Sequence, residues 1–145
     1  MDLPADSQGI NCAGSGMCGK HSPNSGAMRA FVAMSTYVDP NLHYDNGERI
    51  MCTKNRVCVF PQMTPHGISG EKVRRLLPVL FQWGCHICGS IPIGYLEGTN
   101  NSEDGELTVN YTEDDSKECC GLCDGQDWHH VFHCPEVWQH PHASR

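Results

Sequence analysis

No stretch of this sequence is apolar for long enough to cross a bilayer, which takes about 20 consecutive apolar residues. The start, Met1-Asp2-Leu3-Pro4, lacks the basic residues and apolar run of a secretory leader. Enzyme signatures are missing too. The chain has no Gly-x-Ser-x-Gly, no phosphate-binding glycine loop and no His-Glu-x-x-His. Acidic neighbours do occur, at Glu103-Asp104 and Glu113-Asp114-Asp115. In such acid-rich loops they read as solvated charges rather than catalytic dyads. Positive charge is scarce, and the formal net charge is -7 at pH 7. That argues against a nucleic-acid partner, which needs a basic face, and against simple adsorption to anionic lipid. Nine histidines soften the deficit at mildly acidic pH. The chain shows no internal repeat, and nothing in it calls for a cofactor.

What the chain has in plenty is cysteine. Ten cysteines in 145 residues are too many for a cytosolic protein unless they hold metal. The even count suits a fully disulfide-bonded extracellular domain. The expected localisation is therefore secreted, with the leader already removed. The length fits one domain, and 15 glycines, 9 prolines and 39% apolar residues imply long loops.

Residues 1–8 are polar and expected to be disordered. Residues 9–118 read as the folded domain, and residues 119–145 as a Cys/His-rich extension. From Ala27 a helix is expected, because Met28, Phe31 and Val32 fall at i, i+3 and i+4; it should end before Pro40. Tyr44-Asp45-Asn46-Gly47 is turn chemistry. Residues 49–52 and 57–60 read as two short strands, and 61–67 as loop. Ser69 is an N-cap, with Glu71 in the first turn. Val73, Leu76, Leu77, Leu80 and Phe81 then trace one buried helical stripe, with Pro78 inside it and Gly84 at its end. Residues 90–92 suggest a short strand. In 106–111, Leu107, Val109 and Tyr111 alternate with polar residues in the period of a half-buried strand.

The cysteines carry the functional alternatives. Cys12 and Cys18 near the start, and Cys85-x-x-Cys88 in the middle, have three readings. They form two long-range disulfides, or Cys85 and Cys88 are a redox pair, or all four bind zinc. A redox pair belongs after a strand at a helix start, whereas this one follows a helix. Cys52 and Cys58 bracket the basic stretch Thr53-Lys54-Asn55-Arg56. A bridge between them contributes about 2 kcal/mol and fixes the shape of a loop. Its alternative is an ordinary stapled hairpin with solvated charges. In the tail, Cys119, Cys120, Cys123 and Cys134 sit among His129, His130 and His133. The elements Cys120-x2-Cys123 and His130-x3-Cys134 have zinc-ligand character, but their separation is short for a zinc finger, and two further disulfides are expected instead of metal. Asn100-Asn101-Ser102 and Asn110-Tyr111-Thr112 match the N-glycosylation pattern, the first in a loop and the second in an expected strand.

Three segments stand in order along the chain: Gly9-Ile10-Asn11-Cys12-Ala13-Gly14-Ser15 with Cys18-Gly19, then Gly84-Cys85-His86-Ile87-Cys88-Gly89-Ser90, then Gly105-Glu106-Leu107-Thr108-Val109-Asn110-Tyr111. They resemble the KP-four-type killer toxin family, small secreted disulfide-rich toxins of a fungal virus with cellular relatives. Asn46-Gly47-Glu48-Arg49 and Ile68-Ser69-Gly70-Glu71 also fit. The resemblance implies an α+β fold: a disulfide-rich α/β sandwich, with a small antiparallel sheet and two helices on one face. It implies the pairings Cys12 to Cys85 and Cys18 to Cys88. It implies a non-catalytic toxin whose prototype blocks calcium channels through cations in a surface loop, notably a lysine shortly before the cysteine matching Cys52. This chain has Ile50 two residues before Cys52, carries Arg74 where a helical cysteine stands in the prototype, and extends past Cys119. Arg49, Lys54 and Arg56 are the nearest cations to the missing lysine.

The expected function is a secreted killer-toxin-like protein or effector that inhibits growth of target cells. Its expected partner is a membrane channel or other cell-surface protein, with no catalysis and no stable membrane insertion. The alternatives are a secreted binding or structural effector that has lost channel blocking, and a thiol oxidoreductase using Cys85 and Cys88.

Overall fold

The computed structural model describes residues 9–19, 26–53, 55–113, 119 and 121–123. Helix α1 (Ala27–Ser35) starts at Gly26, whose φ of 86° is open to glycine. Its stripe of Met28, Phe31 and Met34 is buried. Turns at residues 36–38 end it before Pro40. Helix α2 (Gly70–Trp83) begins where the Ser69 hydroxyl accepts the Lys72 N–H at 3.1 Å. Val73, Leu76, Leu77 and Leu80 face the core, and α2 runs unbroken through Pro78. Gly84, at φ 125°, closes it by donating to the carbonyls of Leu80 and Phe81. No helix of the described residues is long and apolar enough to cross a membrane.

Among the described residues there are seven strands: β1 (His43–Tyr44), β2 (Met51–Cys52), β3 (Val57–Gln62), β4 (Ile68–Ser69), β5 (Gly89–Pro92), β6 (Glu106–Tyr111) and β7 (Gly121–Leu122). The main sheet has the order β5-β6-β3-β2-β7, and each pairing in it is antiparallel. β1 and β4 make a separate two-stranded sheet. This is the α+β architecture implied by the resemblance.

The register assigns the two faces of the main sheet. Met51, Val59, Val109, Leu107, Ile91 and Leu122 fall on one face, and all lie in the core with the stripes of both helices. Cys52, Cys58 and Phe60 fall on the other face and form a second, smaller cluster. The outer row continues through Thr108, which donates to Gln62 Oε1 at 2.8 Å and lies 3.3 Å from Ser90 Oγ. Ile50 breaks the alternation. It donates to the Val59 carbonyl at 2.8 Å while Met51 is the ladder partner of Val59, so two residues oppose one, as in a β-bulge. Both Ile50 and Met51 are therefore buried in the main core.

Residues 9–19 are tied to β5 and the end of α2. Asn11 and Ser90 exchange backbone hydrogen bonds at 3.0 and 2.9 Å, which covers the outer edge of β5. Cys12 is bonded to Cys85, and Cys18 to Cys88, with Cα separations of 5.1 and 6.2 Å. Gly89 permits this approach. A Cβ there would sit 2.7 Å from the Asn11 carbonyl oxygen and 2.8 Å from Cys85 Sγ.

Two features differ from the sequence reading. Residues 43–44 and 68–69 pair as strands where only turn and loop chemistry and a helix cap are legible. The boundary at residue 118 does not bound the sheet, because β7 pairs with β2 and Cys123 N–H donates to the Ile50 carbonyl at 2.9 Å. The remainder of the expected extension, and the expected disordered residues 1–8, lie outside the described residues.

Candidate functional site

The hairpin of β2 and β3 is shaped from its base to its tip. Cys52 and Cys58 stand directly opposite each other in the ladder, 4.0 Å apart at Cα, and are joined as a disulfide. Thr53 follows, buried at 1% exposure. Its N–H donates to the Val57 carbonyl at 2.8 Å, and its hydroxyl accepts the N–H groups of Val57 at 3.0 Å and Asn55 at 3.2 Å. Arg56 N–H returns to the Thr53 carbonyl at 3.2 Å. From the neighbouring chain, Thr112 N–H reaches the Arg56 carbonyl at 2.8 Å. Arg56 itself sits at φ 71°, the left-handed region. Such a conformation in a non-glycine residue persists only when the surrounding bonds over-determine it, and here they do.

The two described candidate cations, Arg49 and Arg56, do not share one environment. Arg56 is at the tip and half-buried. Arg49 is at the base: it donates to the Gly47 carbonyl at 3.0 Å, and its guanidinium lies 5.2 Å from the centre of the Phe60 ring. The Cys52–Cys58 bridge lies between them along the hairpin. Lys54 lies outside the described residues. Position 50, two before Cys52, carries no cation and directs an isoleucine into the main core.

A second disulfide braces the base. Cys119 is bonded to Cys123, and Cys123 Sγ lies 3.8 Å from Cys52 Sγ. The sulfurs of Cys52, Cys119 and Cys123 fall within 4.8 Å of one another. All three belong to disulfides, so none is the thiolate that a soft metal ion requires. Cys120 and Cys134, with the tail histidines, lie outside the described residues.

Cys85 and Cys88 are not bonded to each other, since each is joined to a remote cysteine. Cys85 is fully buried, and Cys88 is 4% exposed. A groove of about 450 Å3 runs beside these bridges, lined mainly by residues 12–19 and 84–88, with His86 on its wall.

Sequence reasoning passed over three residues that build the site. Thr53 was legible as a local turn former, a Thr two residues before Asn55. Phe60 was legible as an outward member, with Cys58, of the alternation that sends Val57 and Val59 inward. Thr112 had no local signal, because it acts on a residue 56 positions away.

Comparison with known proteins agrees with this scaffold. The KP4 killer toxin of Ustilago maydis P4 virus is 34% identical over 108 residues, covering 72% of this chain and 80% of that protein. The profile of the Kp4 family matches residues 1–113, a span that takes in both long-range bridges, the hairpin and β6. The chain belongs to the Kp4 family.

Proposed function

We propose that the protein is a secreted, non-catalytic growth inhibitor that binds a cell-surface protein of its target cell, a calcium channel being the first candidate, through the tip of the β2–β3 hairpin. Kinship with a killer toxin supports the toxin-like part of this reading. The observation that carries the contact surface is the tip itself. A disulfide, the Thr53 hydroxyl and the Thr112 N–H hold the backbone around Arg56 in one shape. A preorganised loop loses little freedom on binding, so its charge is presented at low entropic cost. The burial of Cys85 and Cys88, each bonded to a distant partner, supports binding over thiol chemistry.

The test is growth inhibition of fungal cells, with and without added calcium. The variants are the double charge reversal Lys54→Glu, Arg56→Glu and the single change Arg56→Gly. Glycine accepts the φ of 71° without steric strain, so it removes the guanidinium and keeps this backbone conformation open. The expected outcome is inhibition by the parent, relief by calcium, and loss in both variants with unchanged thermal unfolding. Retained inhibition in well-folded variants would sink the hairpin as the contact surface.

A second reading is favoured by two observations: the chain fills position 50 with a core isoleucine and carries a net charge of -7. On that reading the same scaffold is a secreted binding or structural effector without channel blocking. It requires a folded parent protein that leaves calcium-dependent growth untouched.

A further inference from the structure

The chain has two N-glycosylation sequons, at Asn100 and Asn110, and the structure treats their asparagines in opposite ways. Asn100 is exposed, in the loop between the 3-10 turn Tyr95–Glu97 and β6. Its Oδ1 accepts the Ile10 N–H at 3.0 Å, so the oxygen side of the carboxamide faces the protein. It rests against Gly9, where an added Cβ would meet Cγ of Asn100 at 2.7 Å. The other branch of the carboxamide, Nδ2, donates to no described group. Asn110 is inside β6, opposite Cys58. Its Oδ1 accepts the N–H groups of Ser15 at 2.9 Å and Tyr111 at 2.8 Å, with Cys18 Sγ 3.4 Å away. A Cβ on Gly14 would lie 3.2 Å from the same oxygen. The half-buried Asn110 is therefore packed under the segment that the Cys18–Cys88 bridge pins down.

We propose that Asn100 is an N-glycosylation site of this protein, and that Asn110 is unmodified in the folded chain. The proposal rests on the reading that the protein is secreted through a eukaryotic secretory pathway. In the transfer step, Nδ2 of Asn100 attacks the anomeric carbon of a polyprenyl-pyrophosphate-linked oligosaccharide. The new N–C bond replaces the C–O bond to the pyrophosphate. The polyprenyl pyrophosphate leaves with the bonding electron pair, and the amide gives up a proton to a base of the transferase. Attachment takes place on the chain as it enters the endoplasmic reticulum, so the burial of Ser102, 3% exposed in the folded state, does not obstruct it. Folding then sorts the products. A sugar on Asn100 projects from an exposed loop, whereas a sugar on Asn110 must be fitted beneath residues 14–18 before the Cys18–Cys88 bridge closes. Chains modified at Asn110 are retained as unfolded.

The full chain is expressed behind a yeast secretion leader, and both the secreted and the microsomal fractions are read by intact mass and peptide mapping before and after peptide-N-glycosidase. The sugar is expected on Asn100 in the secreted parent protein, with glycosidase converting that residue to aspartate. It is expected to persist in Thr112→Val, which abolishes the second sequon, and to vanish in Asn100→Gln. The microsomal fraction reports attachment whether or not a variant folds. Secreted or microsomal parent protein without sugar on Asn100 overturns the proposal, as does secreted protein carrying sugar on Asn110. A chain that carries the sugar in microsomes but never leaves the cell sustains the site and overturns the secretion reading instead.

Discussion

Glu106 opens β6 on the outer face of the sheet, between Gln62 and Pro92 in the ladder. Burial raises the pKa of its carboxyl above the ordinary glutamate value, and a hydrogen bond with Thr108 offsets this in part. The folded state therefore holds the proton more tightly than the unfolded chain. Below the ordinary glutamate range both states are protonated, and the group has no influence on the folding equilibrium relative to a neutral amide. As pH rises through the window up to the raised folded value, the unfolded chain ionises first and stability falls; above that window the loss is constant. Glu106→Gln removes the ionisation and keeps the shape. It is expected to melt at a higher temperature than the parent at pH 7, with the gap closing below the ordinary glutamate range. Equal melting temperatures across the whole range would show that the carboxyl is solvated. Burial of this kind was not legible in the sequence, where Glu106 reads as the polar start of an alternating strand. Arg56 was legible as a cation, but its left-handed backbone was not, because that conformation is imposed by Thr53 and Thr112 rather than by arginine.

Helix α2 contains the one proline inside a helix among the described residues. Pro78 supplies no N–H to the carbonyl four residues back, and its ring crowds that carbonyl. A proline in a helix interior costs about 3 kcal/mol relative to alanine. Pro78→Ala is expected to stabilise the domain by about 1–3 kcal/mol, because neighbouring packing has adapted to the ring. At this chain length each kcal/mol shifts the melting temperature by about 2–4 °C. A lowered melting temperature would mean that the packing of the half-buried Pro78 ring outweighs the missing hydrogen bond. Long elements such as α2 and β6 were legible because their periodicity repeats over enough residues to stand out. Ser69 and Gly84 marked the ends of α2 by cap chemistry alone. The two-residue strands β1, β4 and β7 carry no period to read. They exist because partners distant in sequence complete them: Tyr44 against Ile68, and Leu122 against Met51. For the same reason the sheet runs past residue 118, where the sequence reads only as a change of composition.

At the scale of the whole molecule, the two long bridges act on one another. Cys12–Cys85 spans 73 residues and Cys18–Cys88 spans 70. Taken alone, either bridge lowers the entropy of the unfolded chain by an amount worth about 4–5 kcal/mol. Once one is closed, however, the second closes only the small ring that passes through Cys12, Cys18, Cys88 and Cys85. That small ring is worth about 2–3 kcal/mol in the same chain-entropy account. The two contributions are thus unequal by order of removal and not by identity. Replacing either pair with alanines is expected to cost about 2–3 kcal/mol, while replacing both costs about 7 kcal/mol, so the double deletion exceeds the sum of the singles. Equilibrium unfolding in urea of the parent, the two single-bridge deletions and the double deletion reads this directly. Strict additivity would place the stabilisation in native contacts of each bridge, such as the packing of Cys85 against Gly89, rather than in the unfolded chain. An excess in the double deletion would mean that either bridge alone holds residues 12–18 against α2 and β5, and that the second bridge sharpens a topology already closed.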